Sequence, residues 1–417
     1  MGSIHDFAPE IQSKLSRYGK NISRSGLSGP ERKNTMQMLW GMLKDRTSHV
    51  SVLSRALGET IAPKKTAERL NRSLRKRSYW KRLTVENMRQ NKRAIQSKRY
   101  CIFDLSDIQK PEAKAMEGVA EVYDGDASTR DETVTGRGYW WLTGLMAGRD
   151  GCLPVYSEIY SLEWERTGEN KKVLDAMAML RRIHPKAIIV FDRGGDRGTI
   201  INDLIAHQQQ FIIRGQDQRH LRLHADSNKG TLIGDIARRM KLQRRYKNQR
   251  NGECFDVGIR RVYLGDQPLW LVAARRRKDG LSWYLTSVDG AREFIMDTVM
   301  EGYGYRWSIE EFHRQVKQDY GLEQIRLQRY EAIKSMGVLI MLAVSFCAAL
   351  PAHLTVKLMA AARLLERHRL RDIPNYVLYK VTAAVALTLS LADKRPPKPL
   401  RLRKRDYFQI ALPLERF

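Results

Sequence analysis

At 417 residues the chain exceeds what one compact core usually holds, and 42% hydrophobic with 29% charged residues argues against a disordered or fibrous protein. Lys and Arg number 74 against 46 Asp and Glu, a formal charge of +28. Such an excess repels itself unless a polyanion offsets it, so nucleic acid is the first partner class, although a ribosome-associated or anionic-membrane protein would be equally basic.

Cys101, Cys152, Cys254 and Cys347 stand far apart without a CxxC pair. That spacing argues against a zinc site and a disulfide framework, and fits a reducing, cytoplasmic setting. The N-terminal MGSIHDFAPE lacks the apolar stretch of a signal peptide. The longest uncharged apolar run, residues 336–350, is shorter than the roughly 20 residues that span a bilayer. It reads as a buried helix, and no membrane partner is expected.

In chain order, residues 1–97 are rich in Lys, Arg, Ser and Asn with mainly helical patterning. Helices are predicted over 50–57 and 63–75, separated by Gly58. The second places Ala67, Leu70 and Leu74 on one stripe of a strongly basic helix. It is either part of a helix-turn-helix-like unit on DNA or an ordinary amphipathic helix with a solvated basic face. From residue 98 the pattern changes to apolar runs bounded by polar turns. Strands are predicted over 100–103, 139–145 and 153–159, then a helix over 171–183, a strand over 187–191, a helix over 199–207 and a strand over 211–214. This is an α/β pattern around one mixed sheet. Residues 216–296 turn β-rich, with strands expected over 255–259, 261–264, 269–273 and 283–286. The chain then becomes helical again, and the basic tail over 394–405 reads as loosely structured. The expected units are 1–97, 98–215, an inserted domain over 216–296, 297–345 and a helical 346–417.

The chemistry starts from YGYRWSIEEFHRQVK. On one continuous helix, at about 100° per residue, Tyr303, Arg306, Glu310 and Lys317 form a polar stripe roughly 60° wide, with Ile309, Phe312 and Val316 on the far side. A solvated helix face gives such stripes often. Two further acids sharpen the reading: Asp104 ends one apolar run and Asp192 ends another. If those two strands lie parallel and adjacent, both acids emerge at one sheet edge, where α/β sites form. Either acid alone would be an ordinary turn residue. With Glu310 they make three hard oxygen donors suited to Mg²⁺ or Mn²⁺. His313 reads as a helix-surface residue, and Asp107 and Asp196 as caps or water ligands. Gly194 and Gly195 do not belong to a Gly-x4-Gly-Lys-[Ser/Thr] loop, so no NTP is expected.

The order Asp104, Asp192, Glu310, with Tyr-x2-Arg-x3-Glu-x6-Lys around the last acid, resembles bacterial insertion-sequence transposases of the IS-four family. FDRGGD at 191–196 resembles the family's Asp-Arg-x-x-Asp segment and includes Arg193; FIIRG at 211–215 resembles its next strand, with Arg214 and Arg219 near the expected basic positions. WYLTS, starting at Trp283, resembles the strand whose Trp stacks on a flipped base in hairpin-forming relatives; a buried core Trp is the other reading. The resemblance covers about residues 98–345. It implies an RNase H-like core interrupted by a β-rich insertion, with helical N- and C-terminal regions. It implies a DDE transposase that holds two Mg²⁺ or Mn²⁺ ions on Asp104, Asp192 and Glu310. Tyr303, Arg306 and Lys317 would contact DNA phosphates. The partners implied are transposon ends, target DNA and a second subunit, with residues 1–97 recognising the ends and 346–417 pairing subunits. A stand-alone nuclease and a non-catalytic DNA-binding regulator are the rival readings.

Overall fold

The computed structural model describes residues 7–22, 26–123, 134–227, 229–276, 280–366 and 376–391. The tail over 394–405 lies outside them. Six helices come first: α1 (Ala8–Ile22), α2 (Gly29–Asp45), α3 (Val50–Ala56), α4 (Pro63–Leu74), α5 (Tyr79–Gln90) and α6 (Lys92–Gln96). Ser28 begins α2 with a reciprocal box, its side chain and that of Glu31 bonding each other's backbone N–H groups, ahead of Pro30 in the first turn. In α4, Leu70 and Leu74 are buried as the stripe requires, while Lys64, Lys65 and Arg72 are exposed.

Six strands follow: β1 (Tyr100–Gln109), β2 (Ala120–Tyr123), β3 (Thr135–Gly148), β4 (Gly151–Tyr160), β5 (Ile188–Phe191) and β6 (Phe211–Arg214). Helix α7 (Glu169–Ile183) precedes β5, and α8 (Gly198–Ala206) separates β5 from β6. The IIVF of β5 is buried on both faces, as a central parallel strand must be. It pairs in parallel with β1, Ile102 opposite Val190, and with β6, Phe191 opposite Ile213. On its other edge β1 runs antiparallel to β3, which forms a hairpin with β4. Gly151 turns that hairpin at φ 105°, a conformation side chains avoid.

The β-rich block extends this sheet. After a short ribbon of β7 (His220–Leu221) and β8 (Thr231–Leu232) and the helix α9 (Ile233–Arg238) come β9 (Arg244–Lys247), β10 (Cys254–Leu264), β11 (Gln267–Arg276) and β12 (Leu281–Thr286). Strand β12 pairs antiparallel with β6, Leu285 opposite Ile213, so the order runs β2-β3-β1-β5-β6-β12-β11-β10-β9. The insertion in sequence is therefore continuous with the core in space. Its two strands expected over 255–264 are one, because the Arg260–Arg261 pair that interrupts the apolar run only places Arg260 in solvent and Arg261 on the Trp270 ring.

The remaining helices are α10 (Arg292–Gly304), α11 (Trp307–Gln318), α12 (Tyr330–Ala348), α13 (Ala352–Glu366) and α14 (Leu378–Leu391). The single helix expected across Tyr303–Lys317 is two. Between them Tyr305, Arg306, Ser308 and Ile309 donate to carbonyls three residues back, a tight turn that changes the helical phase between Tyr303 and Glu310. Helix α12 is long and apolar enough by composition to cross a membrane, but 89% of that stretch is buried inside the fold, against β4, α5 and α2. Its Lys334, with Lys172 of α7, meets Glu158 of β4 and Glu165 in a buried cluster that ties helices to the sheet. A mixed sheet flanked by helices, with α11 returning to β1 near its centre, is the RNase H-like architecture.

Candidate active site

The parallel register of β1 and β5 sets the site. Ile102 faces Val190, and two residues further along each strand stand Asp104 and Asp192. Continuing the register brings the two acids level where β5 has ended and β1 runs on. Asp104 thus sits within β1, not at its end, because the strand continues along β3 to Gln109. The Asp104 Oδ1 accepts the Leu105 N–H at 3.0 Å. The Asp192 Oδ1 accepts the Gly194 N–H at 2.8 Å and caps the turn Arg193–Gly195. A side chain at Gly195 would put its Cβ 2.2 Å from the Phe191 side chain, so this turn closes only with glycine.

Glu310 comes from α11. Its Oε1 lies 2.5 Å from the Arg306 guanidinium one turn before it. The three acids share one electrostatic neighbourhood. Burial first, then the charge of Asp192, and more weakly that of Glu310, push Asp104 up to about 7, while Arg306 and the Leu105 N–H pull it down. Burial disfavours the charge of Arg306, yet Tyr303, Glu310 and Asp104 together raise its affinity for the proton. Among the described residues no group of three His, Cys, Asp or Glu side chains is drawn together closely enough to hold a metal ion, and Glu310 is turned toward Arg306 instead. What fits a hard cation is the donor chemistry: carboxylates converging where their mutual repulsion is only partly neutralised.

The other expected site residues divide. Tyr303 lies in the last turn of α10 under the Arg306 guanidinium, its ring 4.5 Å from Tyr284 and its hydroxyl buried without a hydrogen-bond partner. Lys317 reaches Asp107 at 3.6 Å and Glu323 at 3.2 Å, so Asp107 is an ion-pair partner. Arg193 is half-exposed, 3.5 Å from Asp217, and Arg214 ends β6 opposite Tyr284. Arg219, expected on phosphate, is committed to Asp196, whose side chain is 0% exposed, at 2.6 Å. Asp196 also accepts the Gln216 N–H at 2.7 Å, so this acid braces the loop after β6 in place of capping or binding water. Trp283 is 9% exposed and packs against Gly215, Ile233 and Gly234, the core placement of its two readings.

His313 corrects the sequence reading most. It is buried, with Nε2 2.6 Å from the Thr143 hydroxyl and Nδ1 3.9 Å from Asp104 Oδ2. Neither His313 nor Thr143 was expected at the site. The signal was present in the spacing, since His313 follows Glu310 by three residues and so lies beside it on the helix. A cavity of about 1120 Å³ lies elsewhere: Lys98, Asp150, Tyr305 and Leu350 line it, at the Tyr100 end of β1, and none of the three acids does.

The sheet, the two level aspartates and the helix bringing a glutamate are arranged as in an RNase H-like core. Residues 160–346 match the family described as Transposase DDE domain. That stretch, a little under half of the chain, is similar to a DDE-transposase domain. Asp192 and Glu310 fall within the matched residues; Asp104 precedes them. No curated protein matches the chain. Among solved structures it is similar to a piggyBac transposase synaptic complex with hairpin DNA, at 12% identity over 97% of this chain and 83% of that one, with a TM-score of 0.38.

Proposed function

We infer that the protein is a metal-dependent DNA transposase of the IS-four type, cutting at transposon ends and joining the freed 3′-hydroxyl to target DNA. The observation that carries this reading is the parallel register that brings Asp104 and Asp192 level, with Glu310 of α11 near enough to add to the upward push on Asp104. Asp104, Asp192 and Glu310 would hold two Mg²⁺ or Mn²⁺ ions. These would supply Lewis-acid stabilisation of the in-line displacement and activate water for cleavage.

The chain's own groups do the rest. Arg306, now on Glu310, would exchange that carboxylate for a DNA phosphate, freeing Glu310 to complete the ligand set. Lys317, Tyr303, Arg214 and Arg193 would line the strand's path. The +28 charge favours DNA as the partner, with the exposed basic face of α4 in residues 1–97 addressing the transposon ends. A homodimer would pair the two ends, with residues 346–417 contributing to the pairing.

The test is Glu310→Gln, which keeps shape and removes a ligand charge. Binding to terminal-repeat DNA should persist, while Mg²⁺-dependent nicking falls by several kcal/mol of barrier, about a thousandfold or more. Nicking within tenfold of the unmodified protein would refute the assignment.

A further inference from the structure

His313 approaches the acids from inside the fold. Helix α11 buries it against Trp141, ring centroids 4.8 Å apart. Its two nitrogens span one register pair of the sheet, because Thr143 on β3 is the antiparallel partner of Asp104 on β1. Nε2 meets the Thr143 hydroxyl at 2.6 Å, and Nδ1 faces Asp104 Oδ2 at 3.9 Å. The hydroxyl has one proton to give and two acceptors in reach, Nε2 at 2.6 Å and the Asp104 carbonyl at 3.4 Å. When the hydroxyl donates along the shorter contact, the imidazole accepts at Nε2 and keeps its own proton on Nδ1, facing Asp104.

We propose that His313 is a positioning residue for strand cleavage and transfer: protonated on Nδ1, it turns that N–H toward Asp104 Oδ2, and Thr143 sets the tautomer. This rests on the reading of Asp104 as an ion-holding carboxylate. With one face of the carboxylate addressed by the imidazole, the rotation of Asp104 is restricted and its remaining lone pairs are left for the cation. Outer partners of this kind are worth about 10–100-fold in metal affinity.

The experiment exploits side-chain geometry. In His313→Asn the amide nitrogen takes the place of Nδ1; in His313→Gln it takes that of Nε2. Mn²⁺ affinity is measured without DNA by electron paramagnetic resonance titration. His313→Gln and His313→Ala should bind Mn²⁺ about tenfold or more weakly, and Asn should restore most of the loss. Nitrogen-15 NMR of histidine-labelled protein should find the His313 proton on Nδ1. Binding by the Gln variant equal to or tighter than that of the Asn variant, or a proton on Nε2, overturns the proposal. If thermal melting shows the His313 variants unfolded, Thr143→Val and Thr143→Ser carry the test. Val keeps the shape and drops the hydroxyl, so it should weaken Mn²⁺ binding several-fold while Ser restores it; unchanged binding with Val overturns the idea. Asp104→Asn in the same titration separates the two levels. If it binds Mn²⁺ as well as the unmodified protein, the metal reading itself fails; if only the His313 series is indifferent, the positioning role alone falls.

Discussion

Glu310 lies 2.5 Å from Arg306, an ion pair formed across the first turn of α11, where Arg306 is the N-cap. In the proposed reaction Glu310 would join Asp104 and Asp192 as a ligand and Arg306 would meet a DNA phosphate, yet here each occupies the other. Both partners must let go for the proposed reaction, so the pair competes with metal and with DNA alike. Arg306→Gln is therefore expected to act in opposite directions. Mn²⁺ affinity of the free protein at pH 8 should rise several-fold, because a competing cation is gone. Nicking of terminal-repeat DNA should fall about a hundredfold with the lost phosphate contact. Titration calorimetry without DNA and a nicking assay on the same preparation check both; a fall in Mn²⁺ affinity would mean that Arg306 supports the ligand set.

Asp104 makes the site costly to fold. Its carboxyl is held near 7 in the fold by burial and by Asp192, against about 4 when unfolded. The unfolded chain gives up this proton first as pH rises. The folded state thus binds more protons between about pH 4 and 7, and stability is lost through that window. Below pH 4 both states are protonated and the penalty vanishes. In the absence of divalent ions, Asp104→Asn should stabilise the protein by a few kcal/mol at pH 8 and change little at pH 4. Urea unfolding at the two pH values measures this. Equal effects at both would show that Asp104 ionises normally in the fold.

Much of this site was readable because its parts obey local rules. IIVF over 188–191 is an apolar run too short for a helix, so a buried strand ending in Asp192 followed directly. The spacing from Arg306 to Glu310 is a helical one, and their contact survives in α11. What was hidden depends on neighbours far away in sequence. The end of β1 was misplaced because Asp104, Ser106 and Asp107 are polar, and only pairing with β3 reveals that they continue the strand. His313 looked like a surface residue because no local pattern announces Thr143, 170 residues earlier, as its partner. The break between α10 and α11 follows from i→i−3 bonding that no residue type in YGYRW compels. Likewise, the β-rich block showed its strands but not that β12 would dock on β6.

Arg219 separates a brace from a DNA contact. Its guanidinium meets Asp196 at 2.6 Å, and its side chain also donates to the Asp196 carbonyl at 2.9 Å. Asp196 is buried between the turn after β5 and the loop after β6, where an unpaired carboxylate is expensive. Arg219→Ala should therefore destabilise the fold by about 3 kcal/mol or more. Its DNA affinity, compared where both proteins are fully folded, should keep the salt slope of the unmodified protein. Removing a true phosphate contact such as that proposed for Lys317 should instead reduce the slope of log affinity against log salt by about 1. Urea unfolding and binding isotherms across a salt series decide between them: a stable Arg219→Ala protein with a shallower slope would return Arg219 to the DNA interface and leave Asp196 in need of another partner.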